Sequence, residues 1–203
     1  MPKPKVNQPD NPLFTNGEKT SMNACVGDNG GPYVLVDYGR GFFRAGNAIV
    51  KSAEDYTHPV DLAVYPAAFS YRHGIELFLK HIVVGLNSLL ETGGTFKKKH
   101  GIMQLWNEVV SLVQKSEREF IEPEVMKKAG DVIGYFDAFD PTGQVFRYPE
   151  DIKGNRHLAE FKLINLDVLR SYMDELEDIL ERLIDQIAEH VDWHLGELAF
   201  HGE

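Results

Sequence analysis

Between residues 166 and 187 the apolar side chains Leu166, Leu169, Met173, Leu176, Leu180, Leu183 and Ile187 recur at alternating three- and four-residue steps. Only an α-helix places such residues on one face, and the spacing is that of a coiled-coil seam. Asn165 stands where a capping side chain belongs. The pattern predicts a helix of about 28 residues, about 42 Å long at the standard rise. Asp174, Glu175, Glu177, Asp178 and Glu181 fill its other face. A stripe this long must be covered, either by other helices of the same chain or by a second chain.

Upstream segments supply helices of their own. The stretch from about Val64 to Glu91 carries Ala68, Tyr71, Ile75, Phe78, Ile82, Leu86 and Leu89 at helical steps. Leu77, Leu79 and Val84 widen the apolar face, so most of this central helix is covered. Pro66 suits a first turn, and Thr92-Gly93-Gly94 ends the run. Further helices are predicted over 41–56 (Phe42, Ala45, Ile49, Ala53), over 100–115 (Ile102, Leu105, Trp106, Val109, Leu112 and Val113) and over 122–138. YVLVDY at 33–38 reads as either a short strand or an apolar strap. Half of the ten prolines lie within residues 1–32, so residues 1–40 read as an extended N-terminal arm. The expected architecture is all-α: a bundle of four or five helices over 41–203, with a long C-terminal helix.

The chain has 203 residues, 43% of them hydrophobic, with 21 Lys plus Arg against 31 Asp plus Glu and a net charge of −10. That balance argues against a protein that coats nucleic acid through bulk positive charge. The single cysteine, Cys25, excludes an internal disulfide and a Cys-based zinc site. With no apolar leader and no membrane-length run, a cytoplasmic protein is expected. No Walker loop, dinucleotide fingerprint or GxSxG occurs. No cofactor is expected, and no metal site. His190 and His194, with His201 nearby, have chelating spacing but lack a supporting motif.

The central helix carries the chemistry. With Arg72 at zero, Glu76 falls at roughly 40°, Asn87 at 60°, Lys80 at 80° and His73 at 100°, while His81 stands apart at 180°. Four ionisable residues therefore share one strip. A solvated Arg72–Glu76–Lys80 ladder is one reading, worth a few tenths of a kcal/mol per pair. The other is a polar seam facing a cleft or a symmetry mate, in which Arg72 and His73 meet an anion and Glu76 orients its neighbours. Lys97, Lys98, Lys99 and His100 form a basic run before the next helix. Phe146, Arg147 and Tyr148 lie in the long loop FDPTGQVFRYPEDIKGNRH. There, rings can stack on a base while Arg147 meets a phosphate, or they can pin the loop to the core. Asp137 and Asp140 read as turn and helix-end residues, or as partners for Arg147 or a metal.

YPAAFSYRHGIELFLKHIV, KKHGIMQLW, and FDPTGQVFRYPED leading into INLDVLRSYMDELEDIL together resemble the HEPN superfamily, over roughly residues 60–190. The resemblance implies a helical bundle, usually a homodimer, often in prokaryotic toxin–antitoxin or antiphage defence systems. Many members are metal-independent ribonucleases with an Arg, four to six residues, then a His. No pair here has that spacing: eight residues separate Arg72 from His81, nine separate Arg147 from His157, and seven separate Arg182 from His190. If the chain cleaves RNA, its site is rebuilt from Arg72, His73, Glu76, Lys80 and His100, with Arg147, Tyr148 and Lys99 binding the substrate. The expected partners are RNA or a nucleotide and a second copy. The competing expectation is a non-enzymatic dimeric module whose 166–187 seam pairs with another chain.

Overall fold

Helical periodicity in five segments becomes five helices. In the computed structural model, residues 13–94 and 100–201 are described, with side chains as far as residue 192. The helices are α1 (Leu35–Glu54), α2 (Val60–Leu89), α3 (Ile102–Ser116), α4 (Pro123–Phe139) and α5 (Leu166–His201). The described residues contain no strand, only an isolated bridge between Glu150 and Arg156. No described helix is long and apolar enough to cross a membrane. The chain divides into Met1–Val34 and Leu35–Glu203. In the first unit, the Asn23 carboxamide accepts from the Gly17 amide at 2.8 Å and donates to the Gly17 carbonyl at 3.0 Å, closing a small exposed turn.

The second unit is built around α2, which packs against α1, α3 and α5. Its fully buried Tyr71, Ile75, Phe78, Leu79, Ile82 and Leu86 form the centre of the core. Close approach of α1 and α2 depends on glycine. A Cβ at Gly39 would come within 2.5 Å of the Phe78 ring, and one at Gly74 within 2.9 Å of the Phe43 ring. Each helix seats an aromatic ring in the notch left by a glycine on the other. Phe43 and Phe78 stack at 5.3 Å between centroids.

Three expectations change in detail. YVLVDY forms neither a strand nor a strap: α1 already begins at Leu35, and Val36 is buried in the core. The β-branched residues there yield to packing against α2, since tertiary contacts override weak intrinsic preferences. Second, α2 starts at Val60 after Pro59, so Pro66 lies inside the helix rather than in its first turn. Third, the seam on α5 is spent within the chain. Met173, Leu176, Leu180, Leu183 and Ile187 are at most 3% exposed, packed into the shared core. These five residues are therefore covered by the helices of the same chain. The spacing of an intramolecular bundle helix and of an intermolecular coiled coil is the same, because both bury one stripe. Asn165 caps α5 as expected, its side-chain oxygen accepting from the Val168 amide at 3.0 Å.

Candidate functional site

The polar strip of α2 folds inward. Arg72 is 4% exposed, Glu76 5% and Lys80 8%. Charges this deep are tolerated only when paired and hydrogen-bonded. Glu76 is the hub. Its carboxylate accepts from Lys80 Nζ at 2.7 Å, from Arg72 Nη1 at 3.4 Å and contacts His100 Nδ1 at 3.0 Å. Burial pushes the Glu76 carboxyl up, but the hydrogen bonds from Lys80 and His100 outweigh it and hold the group below the ordinary carboxylate range.

Arg72 faces protein, not solvent. Nε donates to the Asp140 carbonyl at 3.0 Å, and Nη2 donates to the carbonyls of His100 at 3.0 Å and Pro141 at 3.5 Å. The Asp140 carboxylate lies 3.7 Å from Nε. Asp140 ends α4, where backbone carbonyls lack helical partners and carry partial negative charge. The guanidinium thus fastens α2 to the end of α4 and to the segment entering α3. Gly143, at φ +74°, makes room for it: a Cβ there would lie 2.7 Å from Nη1. Asp140 also accepts from the amides of Gln144 at 2.8 Å and Val145 at 3.1 Å, forming a buried turn. Asp137 accepts from the Met103 amide at 3.2 Å and so serves the N-terminus of α3. Both aspartates take turn and helix-end roles. Asn87 stays local, its amide donating to the Val83 carbonyl at 2.9 Å.

His100 differs from the rest of this network. Its side chain is 72% exposed although Nδ1 contacts the buried Glu76 carboxylate. A carboxylate at Nδ1 favours the tautomer with hydrogen on that nitrogen and leaves Nε2 to solvent as an acceptor. His73 is half-buried and belongs to a different neighbourhood. Its ring meets Phe42 edge-on at 4.5 Å and lies parallel to Phe69 at 6.0 Å. Burial lowers its pKa, nearby Lys80, Arg72 and Arg147 lower it further, and Glu76 opposes them. His73 is thereby held neutral near pH 7. Lys99 falls within 95–99, outside the described residues.

The long loop divides its aromatic residues between core and surface. Phe146 is 8% exposed and lies at 5.7 Å from Phe139, so it pins the loop. Arg147 and Tyr148 remain exposed. The Arg147 guanidinium lies 5.5 Å from the Phe69 ring and 5.3 Å from that of Tyr148, within cation–π range. Beyond them the chain reverses in a small hairpin. The Asp151 amide donates to the Asn155 carbonyl at 2.9 Å, and the Asp151 carboxylate accepts from the Lys153 and Asn155 amides. Leu158 closes the hairpin at φ +59°, a conformation costing a non-glycine residue about 1–2 kcal/mol. A groove of about 620 Å³ lies between this hairpin and α2, lined by residues that include Tyr65, Arg147, Tyr148, Glu150, Arg156 and His157.

The structure therefore brings Arg72, Glu76, Lys80 and His100 together. It sets His73 beside Phe69 and Arg147, and it adds Tyr65, Arg156 and His157, which the sequence pattern did not single out. Tyr65 was legible in principle: on the helical wheel it falls at roughly 20°, inside the same strip. Among the described residues no group of acidic, His or Cys side chains is arranged to hold a metal ion. His194 and His201 lie beyond the described side chains, and His190 packs edge-on to Phe120 at 5.4 Å. The chain matches no protein-family model, no curated protein and no solved structure.

Proposed function

We propose that this chain is a HEPN-like helical domain that binds RNA and cleaves it without a metal ion, in a prokaryotic defence or toxin-type setting. The observation that carries the reading is the Glu76–His100 pair: a buried carboxylate at 3.0 Å from the Nδ1 of an imidazole whose side chain is 72% exposed. That arrangement suits general acid–base work on a ribose hydroxyl, because the imidazole is oriented and the outer nitrogen is accessible. Glu76 and Lys80 orient and polarise. Arg72 is a positioning residue, since its donors are committed to Asp140, Pro141, His100 and Glu76. Arg147 and Tyr148 meet the RNA. His73, neutral among aromatic rings, shapes the floor beneath Arg147.

The test is cleavage of a labelled structured RNA in EDTA by wild type, His100→Ala and Glu76→Gln. Wild-type cleavage is expected, with the rate falling at least a hundredfold in His100→Ala. Equal rates in wild type and His100→Ala would sink the assignment. A non-enzymatic interaction module is the second reading. It is favoured by the apolar groove of about 450 Å³ between α4 and α5, where Tyr135, Phe161, Leu163, Val168 and Tyr172 are 47% exposed or more. Surfaces of this kind mark contact sites. Under that reading no cleavage occurs, and a binding partner covers these residues.

A further inference from the structure

We infer that the groove between α2 and the 148–158 hairpin is a separate nucleotide pocket, built to take one unstacked base with its phosphate. The inference rests on the RNA reading above and names where the strand is gripped, apart from the Glu76–His100 pair.

Charge is the first ground. In a chain of net charge −10, cationic side chains find carboxylates easily. Arg40 pairs with Glu181, Arg72 with Glu76, Arg170 with Glu54 and Arg182 with Glu122. Arg44, Arg118, Arg147 and Arg156 have no such pair among the described residues, and two of these four, Arg147 and Arg156, line this one groove. Glu150 lines it too and stands opposite Arg156 across the isolated bridge. A bridge places such residues about 5 Å apart, but the two side chains form no ion pair. A donor and an acceptor are thus held side by side, both available to a ligand.

Ring surface is the second ground. Tyr65 is 44% exposed and Tyr148 48% exposed, and the two rings line the groove. Exposed aromatic faces beside guanidinium groups suit a base stacked on a ring and a phosphate held by a fork of N–H donors. The third ground is His157. Its Nε2 is buried and has no hydrogen-bond partner in the protein, whereas buried polar atoms are nearly always paired. His157 lines the groove, so its unpaired nitrogen lies in the groove wall, behind the surface that a base would meet.

The fourth ground is position. Tyr65, Phe69 and His73 follow one another at four-residue steps, and Arg147 lies on Phe69. Tyr65 and Glu76 are eleven residues apart on α2, about 16 Å along the axis. That separation is within the reach of a few nucleotides of single strand, so one strand can touch both the groove and the exposed His100 ring.

The measurement is fluorescence anisotropy of a short labelled single-stranded oligoribonucleotide, in EDTA, with wild type, Tyr148→Ala, Arg147→Ala, Arg156→Ala and His100→Ala. Tyr148→Ala is expected to weaken binding about tenfold, the lower part of the range for one stacked base. Each arginine variant is expected to lower the slope of log affinity against log salt by about 0.7. His100→Ala is expected to bind like wild type. Competition by a nucleoside monophosphate at similar affinity would identify a free nucleotide as the ligand of the same pocket. Stronger binding of the oligonucleotide would identify the strand. Unchanged affinity in all three groove variants would overturn the pocket, as would equal binding of the same sequence in a duplex. Binding without cleavage would refute the ribonuclease reading and leave the pocket standing. Cleavage that is indifferent to the groove variants would do the reverse.

Discussion

Arg72 and Arg156 are two arginines in one acidic chain, and they live in opposite circumstances. Arg72 is 4% exposed and hydrogen-bonded through all three of its nitrogens. Arg156 is exposed and has no carboxylate within ion-pair distance among the described residues. The first residue began as the better candidate for meeting an anion, because it sits beside His73 on a helix strip. Packing reverses the order. A guanidinium whose donors are satisfied by the protein has little left for a ligand, whereas one beside an exposed ring and a groove retains its capacity. Burial and pairing, more than residue type, divide structural from binding charges.

The contrast breaks first at Arg72→Ala. Removing this side chain leaves Glu76 and Asp140 buried with fewer partners, and breaking a buried pair typically costs about 3–5 kcal/mol. Urea denaturation is the check. A loss under about 1 kcal/mol would mean that the network is open to water and that Arg72 is free to serve a ligand. Next in size is the acid limb of stability. A carboxyl held below its ordinary range stabilises the fold above that range, and the contribution is lost as pH falls through the folded-state value. Glu76→Gln should therefore melt earlier than wild type at pH 7 and lose less on acidification. Parallel curves from neutral to acid pH would show that Glu76 contributes no such charge-dependent term. The smallest effect belongs to the groove. Arg156→Ala and Tyr148→Ala should change stability by no more than about 0.5 kcal/mol, as surface substitutions do. A larger loss would place these residues among the structural ones.

Much of this was legible beforehand in α2 and α5, where long apolar stripes fix both element and face. The strip of Arg72, Glu76 and Lys80 was legible as a strip for the same reason. Its depth was not. Asp140 lies 68 positions from Arg72 and His100 lies 24 from Glu76, and helical spacing carries no information about partners so distant. The α5 seam illustrates the converse limit. Its spacing specified what is buried and was silent on what buries it. Gly39 and Gly74 gave no signal, because a notch is recognised only when Phe78 and Phe43 are seen to fill it.

The turn that Asp140 organises has a kinetic corollary. Residues 140–145 open a loop, and loops ordinarily exchange their amide hydrogens within a fast local opening. Here the amides of Gln144 and Val145 are bound to a carboxylate that is 1% exposed and that also neighbours the Arg72 guanidinium. Freeing either amide means undoing the join between α2 and α4. In a deuterium-labelling time course these two positions should retain hydrogen as long as the helices they connect, marking the first third of the loop as part of the slowest-opening unit of the molecule.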